Sequence, residues 1–357
     1  MSSRNTNKSG LPRALLEAAA QRLPTWYEAV KKPLPWRDSP SAYHVWVSEI
    51  MLQQTRTAAV IPYYERFLAA FPTVAALSRA DDGQLMKLWE GLGYYSRARN
   101  LKKAAVKVMS DFGGELPRSE KELRSLDGIG PYTAGAIASI AFGEPTPAVD
   151  GNVLRVIMRL CACRDDVMAA DTRRRVTNAL AEVYPSGAKA GALTQALMEL
   201  GETVCIPNGK PHCLDCPLVE HCLALKNGLS SALPVRLAKK GRRIEKRTVF
   251  LLSCDGKYAL SKRPDKGLLA GLWELPSILG ELDENEAAEA VRALGASPKS
   301  LTPLGQAVHI FTHVEWHMTG YLVECDTLPT QMTAATPHEL TASYAIPKAF
   351  RAYLAHI

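Results

Sequence analysis

Four cysteines fall within one short stretch, at positions 205, 213, 216 and 222 of the segment CIPNGKPHCLDCPLVEHC. Thiolates this dense repel one another unless a metal neutralises them, so the segment reads as a metal site, with incidental cysteines as the alternative. Zinc favours two C-x-x-C pairs held well apart. Here only Cys213 and Cys216 form such a pair, flanked singly by Cys205 and Cys222. That spacing suits a wrap around one cuboidal iron–sulfur cluster better than a zinc ion. A disulfide framework is not expected. The start, MSSRNTNKSG, lacks the apolar core of a signal peptide, and no uncharged apolar run approaches the roughly 18 residues of a membrane span. The reading is a cytoplasmic protein, where stable disulfides are rare. Cys161, Cys163, Cys254 and Cys325 sit in apolar runs and read as core residues.

The 357 residues, 47% hydrophobic and 22% charged, suffice for about two packed domains. From about 13 to 225 the apolar residues recur at helical spacing, as in Leu85, Leu88 and Leu92, and prolines and glycines punctuate the pattern. Short helices joined by turns are expected. Residues 226–247 read as a polar, basic linker. Beyond it come β-rich runs at 248–253, 258–261, 308–312 and 318–323, with helices at 284–294 and near 347–355. The expected fold is therefore a mainly α domain over 1–225, the linker, and an α+β domain over 248–357. Charge divides the same way. The net charge is +7 overall, with 28 basic and 23 acidic side chains over 1–235, seven and one over 236–247, and eight and 12 over 248–357. Clustered cations point to a polyanion, most often nucleic acid; a solubilising linker accounts for the charge equally well.

Three segments carry candidate chemistry. In Leu126-Asp127-Gly128-Ile129-Gly130, the glycines Gly128 and Gly130 allow a tight turn that exposes backbone N–H groups ahead of a small-residue helix. Such a turn can hold a phosphate, or be an ordinary turn. Asp150, in VDGNV, can cap the next helix, serve as a functional carboxylate, or do both. Glu49 is the only ionisable group in VWVSEIMLQQ. If its face is buried, desolvation raises its pKa and keeps it protonated near neutrality, as a general acid requires; otherwise it lies on a solvent stripe. A raised Glu49 beside an ionised Asp150 would suit cleavage of a glycosidic bond, one protonating the leaving group and the other stabilising an oxocarbenium ion.

Taken together, WVSEIMLQQT, LDGIGPYTA, VDGNV and the four-cysteine segment resemble the helix–hairpin–helix DNA glycosylases with an iron–sulfur cluster, and within them the adenine DNA glycosylases. The resemblance runs from about residue 20 to 355. It implies a monomeric, nucleoid-associated base excision repair enzyme, bound to no membrane, that flips and excises adenine opposite 8-oxoguanine or guanine in double-stranded DNA. It implies one [4Fe-4S] cluster per chain on Cys205, Cys213, Cys216 and Cys222. By motif, Glu49 resembles the general acid, Asp150 the carboxylate that stabilises or traps the sugar cation, and Asn152 a group orienting the site. Tyr132 stands where endonuclease III relatives carry a lysine nucleophile, which implies a monofunctional glycosylase rather than a Schiff-base lyase. Trp36, Arg37, Leu52 and Glu199 resemble adenine-pocket residues. Gln54 and Tyr94 resemble groups that enter the duplex beside the lesion.

The last domain resembles a Nudix fold, with 269–276 (LAGLWELP) similar to the start of its signature. Arg292 and Ala293 occupy the positions of the metal-binding Glu pair and only Glu289 remains, so nucleoside diphosphate hydrolysis is not expected. The resemblance assigns reading of the oxidised guanine to Phe311, Thr312 and His313, with Thr where the family commonly has Ser. A second departure is the seven-residue gap after Cys205. A six-residue gap would put His212 in the second ligand position; Cys213 is preferred because it keeps the C-x-x-C and a soft thiolate. Two other readings are an endonuclease III-type glycosylase/lyase on oxidised pyrimidines and a non-catalytic lesion-binding protein.

Overall fold

The computed structural model describes residues 10–37, 41–237, 241–264 and 266–357. The polar start at 1–9 and residues 238–240 of the basic joint lie outside them. The chain divides into two compact units. One comprises Met1–Arg79 and Asn100–Ala238, the other Ala80–Arg99 and Lys239–Ile357. The sequence pattern placed 80–99 with the first helical domain. In the structure the second unit claims it through specific bonds: the Ile346 amide donates to Glu90 at 3.2 Å, and the Arg99 guanidinium to the Ala270 carbonyl at 2.5 Å.

Among the described residues up to 226 there are twelve α-helices: α1 Arg13–Val30, α2 Ala42–Leu52, α3 Thr57–Ala70, α4 Val74–Ser78, α5 Asp82–Trp89, α6 Ser96–Asp111, α7 Glu120–Leu123, α8 Pro131–Phe142, α9 Gly151–Leu160, α10 Ala170–Ala181, α11 Ala188–Thr203 and α12 Leu223–Lys226. In the first unit, buried Leu16, Leu23, Val153, Ile157, Leu193 and Leu197 join α1, α9 and α11 around one core. α8 is nearly all small and apolar, and its buried side chains let α2 and α11 pack closely against it. No helix among the described residues is long and apolar enough to cross a membrane.

The second unit is built on a sheet ordered β3–β2–β1–β6–β5: β1 Arg243–Cys254, β2 Lys257–Lys262, β3 Trp273–Glu274, β5 Pro298–Ile310 and β6 Val314–Cys325, with β4 Ser277–Leu279 on β1 and β7 Thr333–Ala335 on β2. β1 and β6 run parallel at its centre. Both faces are covered there, which is why residues 249–252 of β1 read as an unbroken apolar run. Val249 and Leu251 face one core with Trp316 and Phe350, and Phe250 and Leu252 face the other with Ala287 and Val291 of α13 Glu284–Ala293. α14 Pro337–Ala342 and α15 Arg351–Leu354 complete the unit.

Two strand expectations are corrected. β1 begins at Arg243, inside the presumed linker, because Arg247 stacks over the Trp316 ring at 4.5 Å and the Trp316 indole donates to Glu245. Charged residues thus join the ladder by packing their stems and satisfying their heads. The run at 308–312 is the end of the long β5, which stops at Ile310, so Phe311–His313 form the turn into β6.

Candidate active site and cysteine recess

A cavity of about 530 Å³ in the first unit is walled by Trp36, Arg37, Glu49, Leu52, Met198 and Glu199, among others. The two acids are fixed differently. Glu199, 3% exposed, is paired with Arg37 (Nη2 to Oε2, 2.8 Å). Glu49, 6% exposed on α2, accepts from the Tyr132 hydroxyl at 2.5 Å. Burial pushes the Glu49 carboxyl up to about 7, and Asp150 adds to the rise while the Tyr132 bond and Arg37 oppose it. Burial and the neighbouring acids hold the Tyr132 phenol well above its ordinary range, so it donates at neutral pH.

Asp150 caps α9, its Oδ1 accepting from the Val153 amide at 2.7 Å, and its Oδ2 accepts from the Asn152 amide group at 3.0 Å. The capping role open at the sequence level is thus filled. Burial raises Asp150; the Val153 and Asn152 hydrogen bonds and the Arg155 charge pull it back. Arg155 continues the chain of contacts. It donates to Asn152 Oδ1 at 2.8 Å and to the carbonyls of Gly201 and Cys205 at 2.7 and 2.8 Å. Arg159, one turn on, donates to the Cys205 carbonyl and lies 3.3 Å from its Sγ. The carboxylate and the cysteine loop thus share one hydrogen-bonded strut.

Cys205, Cys213, Cys216 and Cys222 line one recess with Arg159, about 330 Å³ in volume, and His212 is not among its walls. Among the described residues no three His, Cys, Asp or Glu side chains close on a single ion. Four thiols around a recess, with a guanidinium beside them, fit the donor set of a polynuclear cluster rather than one small ion. Of the remaining cysteines, Cys161 and Cys325 are buried and Cys163 and Cys254 half-buried.

Ahead of α8, Gly128 adopts φ +76°, and a Cβ there would meet Asn100 at 2.8 Å. Gly130 is the N-cap, and no side chain caps α8. The first-turn amides are thus left without a side-chain acceptor, as a phosphate site requires.

The HhH-GPD superfamily base excision DNA repair proteins match residues 47–186, and the NUDIX domain matches residues 248–356. The adenine DNA glycosylase of Mus musculus is 36% identical over 405 aligned positions, which cover 95% of this chain and 78% of the mouse protein. The chain belongs to the adenine DNA glycosylase family. That of Homo sapiens is 35% identical over 92% of this chain and 72% of its own length. Among solved structures, a trapped endonuclease III–DNA covalent intermediate superposes with a TM-score of 0.51 at 25% identity, covering 61% of this chain and 99% of that one. A thermostable thymine-DNA glycosylase superposes at 0.52 and 24% identity, covering 60% and 98%, a likeness of fold alone.

The remaining family-motif residues of this adenine DNA glycosylase relative fall in two places. Gln54, exposed just beyond α2, has φ 59°. In the second unit Tyr94, 46% exposed, has φ 47°, and its hydroxyl is 2.8 Å from Thr312 Oγ1. Positive φ at two bulky non-glycine residues is uncommon and concentrates at functional positions. Phe311 is not a free wedge. Its ring packs between His309 and Trp316 at 4.6 and 4.9 Å, and Thr312 and His313 are the turn's exposed groups. Gln195, Met198 and Glu202 also wall the pocket and were missed by sequence reasoning. Gln195 and Glu202 lie four before and three after Glu199 on α11, on its face, and Met198 lies three after Gln195 and four before Glu202. Arg155 and Arg159, both buried in an apolar helix, carried the same kind of signal as Glu49.

Proposed function

We propose that this chain is a monofunctional glycosylase that excises adenine opposite 8-oxoguanine or guanine in duplex DNA. The observation that carries the reading is Glu49: a buried carboxyl, raised to about 7, on the wall of the pocket. Such a group holds a proton at neutral pH and can pass it to a ring nitrogen of a flipped adenine. The N-glycosidic electron pair leaves with the base, and Asp150, held by Val153, Asn152 and Arg155, faces the resulting sugar cation. Water completes the reaction at the sugar carbon and returns a proton to the site. Arg37 and Glu199 present paired donors and acceptors to the base edge. Among the described residues that wall the pocket there is no lysine, which favours hydrolysis over Schiff-base chemistry.

The helical residues 1–225 carry the chemistry in this reading, 226–247 join, and 248–357 read the lesion, with Thr312 and His313 exposed on a turn anchored by Phe311. Tyr94 and Gln54 fill the vacated stack, offsetting the few kcal/mol of base flipping. The Gly128–Gly130 turn and α8 hold a DNA phosphate. Cys205, Cys213, Cys216 and Cys222 hold one [4Fe-4S] cluster, which supplies Fe–S bonds that fix the loop and through it the Arg155 strut.

Base release from duplexes with A opposite 8-oxoguanine, G, C or T tests the substrate. Glu49→Gln tests the chemistry. A positioned acid contributes about 10²–10⁴-fold, so single-turnover excision should fall by that factor while duplex binding persists. Near-normal excision by the variant would end the assignment.

A further inference from the structure

A second cavity adjoins the pocket. It is a recess of about 960 Å³ open to solvent, lined by Tyr27, Lys31, Lys32, Ala188 and Ala192, of which Lys31, Lys32 and Ala188 are exposed at its rim. The two cavities share three residues: Arg37, Gln195 and Ile140. The partition between them is largely polar and tied from both sides. Arg37 donates to Glu199 on the pocket side at 2.8 Å and to the Lys32 carbonyl on the outer side at 3.1 Å. Gln195 accepts from the Tyr27 hydroxyl at 2.9 Å. Lys32 Nζ stands 3.8 Å from Glu199, across the same partition. A wall of long polar side chains can open by rotamer changes alone, without backbone movement. A purine brings its own ring acceptors and exocyclic donor to replace the bonds broken.

The outer cavity opens to solvent between the exposed Lys31, Lys32 and Ala188, and neither Glu49, Trp36 nor Leu52 of the inner pocket lines it. A base still joined to its sugar must enter from the side the duplex then covers. Once cut, it is held between that duplex and Glu49, next to the sugar it has left.

We propose that the excised base leaves through this outer cavity, with Arg37 and Gln195 as the gate, while the abasic DNA stays bound. The inference rests on the reading that the inner pocket takes adenine. The test uses the whole protein, in excess, on a duplex labelled in the adenine opposite 8-oxoguanine. After one turnover the protein–DNA complex is separated by rapid filtration, and labelled adenine is counted in the filtrate and the retained complex. Ala192→Phe narrows the cavity and Ala188→Trp obstructs its exposed rim without touching the core. Expected for the native chain is free adenine in the filtrate with abasic DNA retained. Both variants should keep adenine in the complex at least tenfold longer, with the excision rate itself within about twofold. The exit is overturned if native adenine is freed only when competitor DNA displaces the abasic duplex. It is also overturned if both variants, excising normally, release adenine at the native rate. No excision by the native chain on any A-containing duplex would remove the functional reading, and the exit with it.

Discussion

Glu49 shows how one residue couples acid chemistry to stability. Its folded carboxyl keeps a proton up to about pH 7, whereas in the unfolded chain it would ionise near its ordinary 4.5. The folded state therefore binds more protons between those values, and stability falls as pH rises through that window. At about 1.4 kcal/mol per unit, the ionised, buried group costs on the order of 3 kcal/mol above pH 7. Glu49→Gln should accordingly be more stable than the native chain at pH 8, with the difference vanishing toward pH 4.5, measured by urea unfolding. Excision should lose about tenfold per pH unit above about 7, because the acid is gone. A native rate that stays flat to pH 9 would mean that Glu49 does not supply the proton.

At the level of elements, α9 and α11 approach so closely that a Cβ on Gly201 would lie 2.6 Å from the Asn152 Cβ and 3.2 Å from its Cα. The Gly201 carbonyl also accepts from Arg155. Gly201→Ala should therefore push α11 off α9, tilt the Asn152–Asp150 pair, and cost about 1–3 kcal/mol as overpacked cores do, with excision falling in parallel. Unchanged melting and excision would show that the contact relaxes freely. The cysteine loop braces the same strut. Anaerobically purified protein should contain about four irons per chain, following the cluster type. Cys213→Ala should lose them, His212→Ala should keep them, and iron loss should lower both the melting temperature and excision. Stoichiometric zinc would refute the cluster, and iron kept by Cys213→Ala but lost by His212→Ala would reverse the ligand choice.

For the whole molecule, the acid–base residues and the 311–313 turn belong to different compact units. Changes in the turn should then alter which duplex is held more than how fast its adenine is cut. Replacing Phe311, Thr312 and His313 together by Ala should weaken binding to A opposite 8-oxoguanine by a few kcal/mol at most, the scale of one or two base contacts, with a smaller loss on A opposite G. Equal weakening on both duplexes, measured by titration at fixed salt, would place lesion reading elsewhere in 248–357. Removing the Thr312 hydroxyl also deprives the Tyr94 hydroxyl of its partner.

The sequence by itself determined most of the helices, the main strand runs and the candidate residues. Periodicity separated helices from strands, an isolated carboxylate in an apolar helix singled out Glu49, and thiol density singled out the cysteine loop. These are local signals, set by spacing along one chain. What only the tertiary structure decided depends on neighbours distant in sequence. The Asp150–Asn152–Arg155–Cys205 strut spans 55 residues. Residues 80–99 join a unit whose remainder begins at Lys239. β1 reaches back to Arg243 because Trp316 on β6 covers Arg247. Phe311 is an anchor because His309 and Trp316 flank its ring. Burial raises Glu49 because helices far apart in the chain close over it, and no local pattern encodes which helices those are.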